Sequence, residues 1–244
     1  MGHNTASLAA TRTLQNLYIT PLLTLLNQTN PNLLFNPTQS SWNGIYPTHP
    51  QKSLILLIDL KTPSTHTLPP LLDALEPLRQ KNLLTTHNTT HKTPGPITLV
   101  LTGSTSFDQL LSLQDPKHRY AFYDAPLNLL ETNTAFNASN SHLASAPLVQ
   151  TLGLPWAWFG LSKRQLGLVE RWAEVARSRG LVVRFWDTPA WPRGVRDVVW
   201  RGLGGVFGDV FGDVSTGWYD RWGGEALLSV DAVGEVGGVM GWVE

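Results

Sequence analysis

The sequence predicts an α/β fold with a parallel sheet. Short apolar runs alternate along the chain with helical segments, and strands joined through helices pair in parallel. The apolar runs are nearly continuous, as is typical of strands that are covered on both faces. Several of these runs end in acidic, basic or aromatic residues, which indicates where functional groups would lie.

Six apolar runs are predicted strands because each is short and ends in turn-forming or polar residues. Five of them are clear, and the run at 141–147 is a weaker candidate. In chain order the runs span 53–61, 96–103, 119–126, 141–147, 180–189 and 226–231.

Helices are predicted between these strands over 68–82, 106–115 and 162–180. Ser106 and Gln109 have the spacing of a capping box at the start of the second helix. The glycine-containing repeat at 205–214 discourages a regular helix, so an irregular loop is predicted there.

The helix over 162–180 has the strongest signals. Ser162 is the predicted N-cap and Gln165 completes its capping box. Leu166, Val169 and Ala173 begin an apolar stripe at helical spacing, and Gly180 is the predicted end of the helix.

Two architectures fit this pattern, a doubly wound sheet and a (β/α)8 barrel. Polar residues end the strands at 53–61, 119–126, 180–189 and 226–231, and in a barrel such ends meet at one mouth where the active site lies. The barrel is therefore preferred. A barrel needs eight strands, and only six candidates are found.

Composition is globular and balanced. The 244 residues include 42% hydrophobic residues, 18 Lys and Arg, and 18 Asp and Glu, so bulk charge argues against a nucleic-acid partner. The absence of cysteine excludes thiolate metal sites and disulfides. Asparagine disappears after Asn140, but the strand and helix pattern continues, so one domain over 1–244 is predicted.

Asp59 and Lys61 end the first strand and must point to the same face. One interpretation is an ion pair that closes a strand end. The other is a carboxylate that binds a hard divalent cation beside an ammonium group that meets a phosphate oxygen. His3, near the beginning of the chain, is by itself interpreted as a solvated histidine.

The remaining candidates also have ordinary structural interpretations. Asp124 and Asp231 fit aspartates that cap the loops after their strands. Trp186 and Trp191 fit packing residues.

Several motifs taken together resemble a known family. "GHNTASL", "RTLQNLYITPLL", "LLIDLK", "PGPITLVLTG", "YDAPL" and "VRFWDTPAWP" occur in order over almost the whole chain. They resemble the altered inheritance of mitochondria protein 6 family of fungi, a branch of the phospholipase-C-like and glycerophosphodiester phosphodiesterase superfamily. The resemblance implies a TIM barrel of the phospholipase-C-like phosphodiesterase type and hydrolysis of phosphodiesters with a divalent cation, Mg²⁺ or Ca²⁺.

The resemblance also implies roles for individual residues. Asp59 would be the metal ligand, and Lys61 would contact the phosphate. His3, in its Gly-His, would be a catalytic acid or base. Asp124, Trp186 and Asp187 are predicted to bind substrate.

The family places a second catalytic histidine and a Glu-x-Asp metal pair upstream of the Gly-His. We therefore expect an N-terminally truncated barrel that lacks its first two strands. The expected partner is a small-molecule or lipid phosphodiester, with peripheral membrane contact and a secretory or membrane-associated location for the full-length protein. The alternative hypothesis is a non-catalytic barrel-derived binding or scaffold protein.

Overall fold

The computed structural model of the chain describes residues 13–31, 42–153, 160–211 and 227–228. The chain divides into two compact units, Met1–Tyr123 and Asp124–Glu244. The prediction of a single domain over 1–244 stays a prediction.

The first unit starts with a π-helical turn, Gln15–Ile19, which continues into a helix. Its further elements alternate between helix and strand, with one short two-stranded sheet inserted. They are α1 (Thr20–Thr29), β1 (Leu54–Leu60), α2 (Ser64–Ala74), α3 (Glu76–Gln80), β2 (Thr86–His87), β3 (Lys92–Thr93), β4 (Ile97–Gly103), α4 (Phe107–Ser112) and the beginning of β5 (Ala121–Pro126).

The second unit contains the end of β5, a 3-10 turn at Leu127–Leu129 and a further alternation of strands and helices. These elements are β6 (Ser141–Pro147), α5 (Leu148–Leu152), α6 (Lys163–Ser178), β7 (Val182–Trp186), α7 (Arg193–Phe211) and β8 (Leu227–Leu228).

Strand pairing is parallel in both units, apart from the antiparallel pair β2 and β3. In the first unit the order is β1-β4-β5, and in the second it is β6-β7-β8. The register pairs Leu60 with Gly103, and Ser145 with Arg184. These pairings confirm the predicted α/β class with parallel strands. Closure into a TIM barrel stays a prediction.

All six predicted strands occur. Five match their predicted ranges closely, and β8 accounts for residues 227–228 of the run predicted at 226–231. The two short strands β2 and β3 were not predicted, because two residues per strand leave no periodic pattern.

One face of the first unit's sheet packs against helices. Ile58 and Leu60 of β1 join Leu99 and Leu101 of β4 in a buried cluster with leucines of α1, α2, α3 and α4. Side chains alternate along a strand, so Leu57 and Asp59 lie on the opposite face. The polar end of β1 therefore points away from the helix-packed core.

The predicted capping box of α6 is confirmed. Ser162 Oγ accepts a hydrogen bond from the Gln165 backbone N–H, and Gln165 Oε1 accepts from the Ser162 backbone N–H at 2.8 Å. Val169 and Ala173 are buried on its apolar face, and Gly180, with φ of +67°, follows its end.

The start of α4 forms only half of the predicted box. Ser106 caps the helix by accepting from the Gln109 backbone N–H. The side-chain oxygen of Gln109 accepts instead from Ser64 Oγ at 2.7 Å, which joins the beginning of α2 to α4.

The predicted loop at 205–214 is wrong for residues 205–211, because α7 continues through Phe211. Residues 212–214 lie outside the described part of the chain. Each glycine in a helix costs about 1 kcal/mol relative to alanine. Val199, Trp200 and Leu203 are buried at helical spacing, and this packing outweighs the low helical propensity.

The helix predicted over 68–82 is two helices and begins four residues earlier, at Ser64. The break falls at Leu75, where ψ is −6°. Pro77 lies two residues further on and has no N–H to continue the hydrogen-bond ladder. Among the residues that the structure describes, no helix is long and apolar enough to cross a membrane.

Candidate functional site

Asp59 and Lys61 form an ion pair at the C-terminal end of β1. Lys61 Nζ lies 2.6 Å from Asp59 Oδ2, and the two side chains are 45% and 44% exposed. The predicted placement on one face is confirmed. An ammonium group held this way and open to solvent is positioned to meet an anionic ligand.

The end of β4 lies directly beside Asp59. Gly103 pairs with Leu60 in the register, and the backbone N–H of Ser104 donates a 2.7 Å hydrogen bond to the carbonyl of Leu60. Gly103 has φ of +71°, and a Cβ atom at this position would overlap Oδ1 of Asp59. The carboxylate therefore occupies the space that a side chain at residue 103 would need.

The fit of a divalent cation depends on the donors around Asp59. Within the described ranges, no group of three or more His, Asp or Glu side chains converges as a metal site would require. Asp59 supplies one carboxylate, and its Oδ2 already contacts Lys61. Mg²⁺ and Ca²⁺ need about six or more oxygen ligands, so these residues alone do not fit the ion.

Asp124, on β5, is buried rather than open to a ligand. Its side chain is 1% exposed, and Oδ1 accepts a 2.5 Å hydrogen bond from Ser145 Oγ on β6. Arg184 Nη1, on β7, lies 3.6 Å from Asp124 Oδ2 and 3.4 Å from Ser145 Oγ. The three side chains form one buried polar network.

Sequence reasoning missed Ser145 and Arg184. The available signal was Arg184, the one polar residue of β7, whereas Ser145 lies on a strand that also contains Ser141 and His142. Their direct pairing depends on the register between β6 and β7, and a sequence does not show which residues face each other across parallel strands.

Trp186 and Asp187 lie at the end of β7. Trp186 is 39% exposed, and Asp187 has φ of +55°, a left-handed conformation that is uncommon outside glycine. Trp191 is 78% exposed, so the interpretation of both tryptophans as packing residues is wrong. Its neighbour Pro192 begins the turn into α7.

The candidate residues divide between the two units. The ion pair of Asp59 and Lys61 belongs to the first unit, and Asp124, Trp186 and Asp187 belong to the second. His3 and Asp231 lie outside the described residues. The predicted roles of these residues stay predictions.

A buried histidine lies elsewhere in the first unit. His87 is 6% exposed, and its backbone exchanges hydrogen bonds of 2.7 and 3.0 Å with Arg119. Nδ1 of its ring has no hydrogen-bond partner among the described residues. Burial, and then the positive charges of Lys92, Arg119 and His91, lower the pKa of His87 below 6.5.

Residues 1–124 match the family model described as "AIM6-like phosphodiesterase domain", which is slightly more than half of the chain. The chain belongs to this family. The motifs around Asp59, Lys61 and Gly103 lie inside the matched region. Membership confirms the resemblance, while the expected N-terminal truncation stays a prediction.

Three curated relatives support the same family. An altered inheritance of mitochondria protein 6 homolog of Arthroderma benhamiae is 36% identical, over 83% of this chain and 63% of the relative. Altered inheritance of mitochondria protein 6 of Lachancea thermotolerans is 33% identical, over 82% of this chain and 51% of the relative. The Eremothecium gossypii protein of the same name is 30% identical, over 82% of this chain and 53% of the relative.

The chain thus spans about half to somewhat under two thirds of the length of these relatives. No solved structure matches it.

Proposed function

We propose that the protein is a phosphoric diester hydrolase that acts on a glycerophosphodiester or a phospholipid head group. Membership of a family described as phosphodiesterase supports this class of reaction. The observation that carries the proposal is the solvent-open pair of Asp59 and Lys61 at the end of β1, on the face opposite the helix-packed core.

The chemistry of Lys61 suits a phosphodiester. Its ammonium donates charge-assisted hydrogen bonds to phosphoryl oxygens and stabilises the negative charge that increases in the transition state. Asp59 Oδ2, at 2.6 Å, holds the ammonium in place before the substrate binds. This arrangement reduces the reorganisation needed during the reaction.

The acid and base roles are proposed from the family resemblance. His3 would protonate the leaving oxygen or activate the attacking water, because an imidazole exchanges protons near neutral pH. The resemblance implies Mg²⁺ or Ca²⁺ with Asp59 as one ligand, but the described residues around Asp59 do not fit the ion. Asp59 alone does not form such a site, so the proposed mechanism depends on Lys61 and its pairing with Asp59.

The resemblance also implies roles in substrate binding for residues of the second unit. Trp186 offers a partly exposed ring, and Asp187 an exposed carboxylate, at the end of β7. Asp124 is enclosed by Ser145 and Arg184, so we propose that it acts by fixing the Arg184 guanidinium. A fixed guanidinium suits the recognition of phosphate or hydroxyl oxygens.

Hydrolysis of glycerophosphocholine and bis(p-nitrophenyl) phosphate by the purified protein tests the proposal, with Mg²⁺, with Ca²⁺ and with EDTA. We expect turnover that Asp59→Ala abolishes. Asp73→Ala, which removes a carboxylate of α2, is the matched control and should retain activity.

Equal rates for the wild type and Asp59→Ala would refute the role of Asp59. Absence of hydrolysis under every condition would favour the non-catalytic scaffold hypothesis, and calorimetric titration with Mg²⁺ and Ca²⁺ then shows whether the protein binds the cation.

A further inference from the structure

We propose that Gly103 is a positioning residue: its missing side chain leaves room for the Asp59 carboxylate in the orientation required for its pairing with Lys61. The catalytic consequence of this contact rests on the proposed function. The contact itself, between β4 and β1, stands on geometry alone.

The contact follows from the strand register. Gly103 is the last residue of β4 and lies opposite Leu60 of β1. Its Cα is therefore close to the side chain of Asp59, the residue before Leu60. A Cβ atom at residue 103 would overlap Asp59 Oδ1 and would lie 2.5 Å from the carbonyl oxygen of Leu60. The overlap with Asp59 is the tighter of the two.

The carboxylate therefore lies between Gly103 and Lys61. Oδ1 lies against Gly103, and Oδ2 lies 2.6 Å from Lys61 Nζ. An aspartate that is 44% exposed would otherwise have other staggered rotamers available. Gly103 leaves open the space that this rotamer needs, which a side chain at residue 103 would fill.

The backbone around Gly103 is itself fixed. The Ser104 N–H donates to the Leu60 carbonyl at 2.7 Å, and Thr105 Oγ1 donates to the Thr102 carbonyl at 2.8 Å. The first of these hydrogen bonds ties the end of β4 to the end of β1, and the second fixes the turn that follows β4. The Leu60 carbonyl is fixed by the Ser104 hydrogen bond and would clash with a Cβ atom at residue 103 in any case, whereas the Asp59 carboxylate, at the free end of its side chain, is the group that would be displaced.

A competing explanation is that Gly103 is needed only for its backbone conformation, since φ of +71° favours glycine. Gly153 provides a matched control. It has φ of +82°, but no atom of the described residues lies within 4 Å of a Cβ atom built there. Gly153→Ala therefore also places an alanine at positive φ, but without a steric contact among the described residues.

The first experiment compares Gly103→Ala with Gly153→Ala. In Gly103→Ala the carboxylate is displaced, and we expect kcat/KM for bis(p-nitrophenyl) phosphate to fall by about 10²-fold, the loss typical of a misplaced catalytic group. NMR of the Lys61 side-chain ammonium should show loss of the ion-paired signal. Gly153→Ala should leave both kcat/KM and the Lys61 ammonium signal close to those of the wild type. An unchanged Lys61 signal in Gly103→Ala would overturn the proposal.

The second experiment is a double-mutant cycle on Tm, which needs no activity. The decrease caused by Gly103→Ala should be smaller in the Asp59→Ala background, because the carboxylate that it overlaps is absent. Equal decreases in both backgrounds would show that Gly103 serves only the backbone, as would failure of both Gly103→Ala proteins to fold.

The proposed function and the role of Gly103 can each be refuted without refuting the other. A wild-type protein without hydrolysis would refute the proposed function while the Tm cycle still decides whether Gly103 positions Asp59.

Discussion

The hydroxyl group of Ser145 on β6 donates a 2.5 Å hydrogen bond to Oδ1 of Asp124 on β5, where the carboxylate is 1% exposed. A buried carboxylate that loses a donor keeps the cost of its desolvation. We predict that Ser145→Ala lowers the free energy of unfolding by about 1–3 kcal/mol. Urea denaturation measures this difference.

The control for this prediction is Ser112→Ala, because the Ser112 hydroxyl lies on an exposed part of α4 and donates to the Gln109 carbonyl. A loss for Ser145→Ala no larger than that for Ser112→Ala would show that the hydrogen bond to Asp124 contributes little.

Replacement of Lys61 is expected to affect activity far more than stability. We predict that Lys61→Met lowers kcat for phosphodiester hydrolysis by about 10²–10³-fold, because a preorganised cation facing the phosphoryl group is lost. The exposed ion pair with Asp59 contributes about 0–1 kcal/mol, so the free energy of unfolding should change little.

Initial rates and urea denaturation of the same Lys61→Met preparation test both parts. Lys81→Met, at the exposed end of α3, is the control and should leave both quantities near wild type. Wild-type rates in Lys61→Met would contradict the proposed contact with the phosphate.

The lowered pKa of the buried His87 side chain predicts a loss of stability at acidic pH. Its pKa in the folded state lies below 6.5, because burial and then the charges of Lys92, Arg119 and His91 disfavour the imidazolium. Between pH 6.5 and the lower pKa of the folded state, the unfolded chain therefore binds a proton more readily than the folded protein. The free energy of unfolding decreases as the pH is lowered through this range.

Tm measured at intervals from about pH 8 to about pH 5 tests this prediction, since the window spans the ordinary pKa of histidine. His87→Gln should show a smaller decrease toward the acidic end than the wild type. His66→Gln, which removes an exposed histidine of α2, should keep the wild-type slope. Parallel curves for His87→Gln and the wild type would assign the acid sensitivity to other groups.

The capping box of α6 predicts a modest loss of stability in Ser162→Ala. Two hydrogen bonds between Ser162 and Gln165 satisfy N–H groups at the start of the helix. Removal of an N-cap hydroxyl typically costs about 1 kcal/mol, and thermal or urea unfolding measures it. Ser178→Ala, at the other end of the same helix, should cost less, and the reverse order would contradict the assignment of the cap.

Local sequence patterns predicted the elements of this protein well. The apolar runs predicted at 53–61, 96–103 and 180–189 contain β1, β4 and β7, because short apolar runs bounded by polar or turn residues are typical of strands. Ser162 and Gln165 predicted the start of α6, because capping depends on residues three positions apart. The loop predicted at 205–214 was wrong for residues 205–211, since glycine propensity was outweighed by the buried face of α7.

The candidate site was predictable where it depends on one strand. Asp59 and Lys61 are two residues apart at the end of β1, so strand alternation alone places them on one face. Asp124 was predicted as a residue that binds substrate, but its burial and its partners depend on three strands. Ser145 and Arg184 gave no comparable signal, because they meet Asp124 only through strand pairing.

The sequence by itself determined the parallel α/β class, the order of its strands and helices, the family, and the shared face of Asp59 and Lys61, because each follows from short-range periodicity or from motifs in order. Tertiary structure decided the contact of Gly103 with Asp59, the enclosure of Asp124 by Ser145 and Arg184, and the burial of His87. These depend on which residues of distant segments lie side by side, and strand register and packing set that placement.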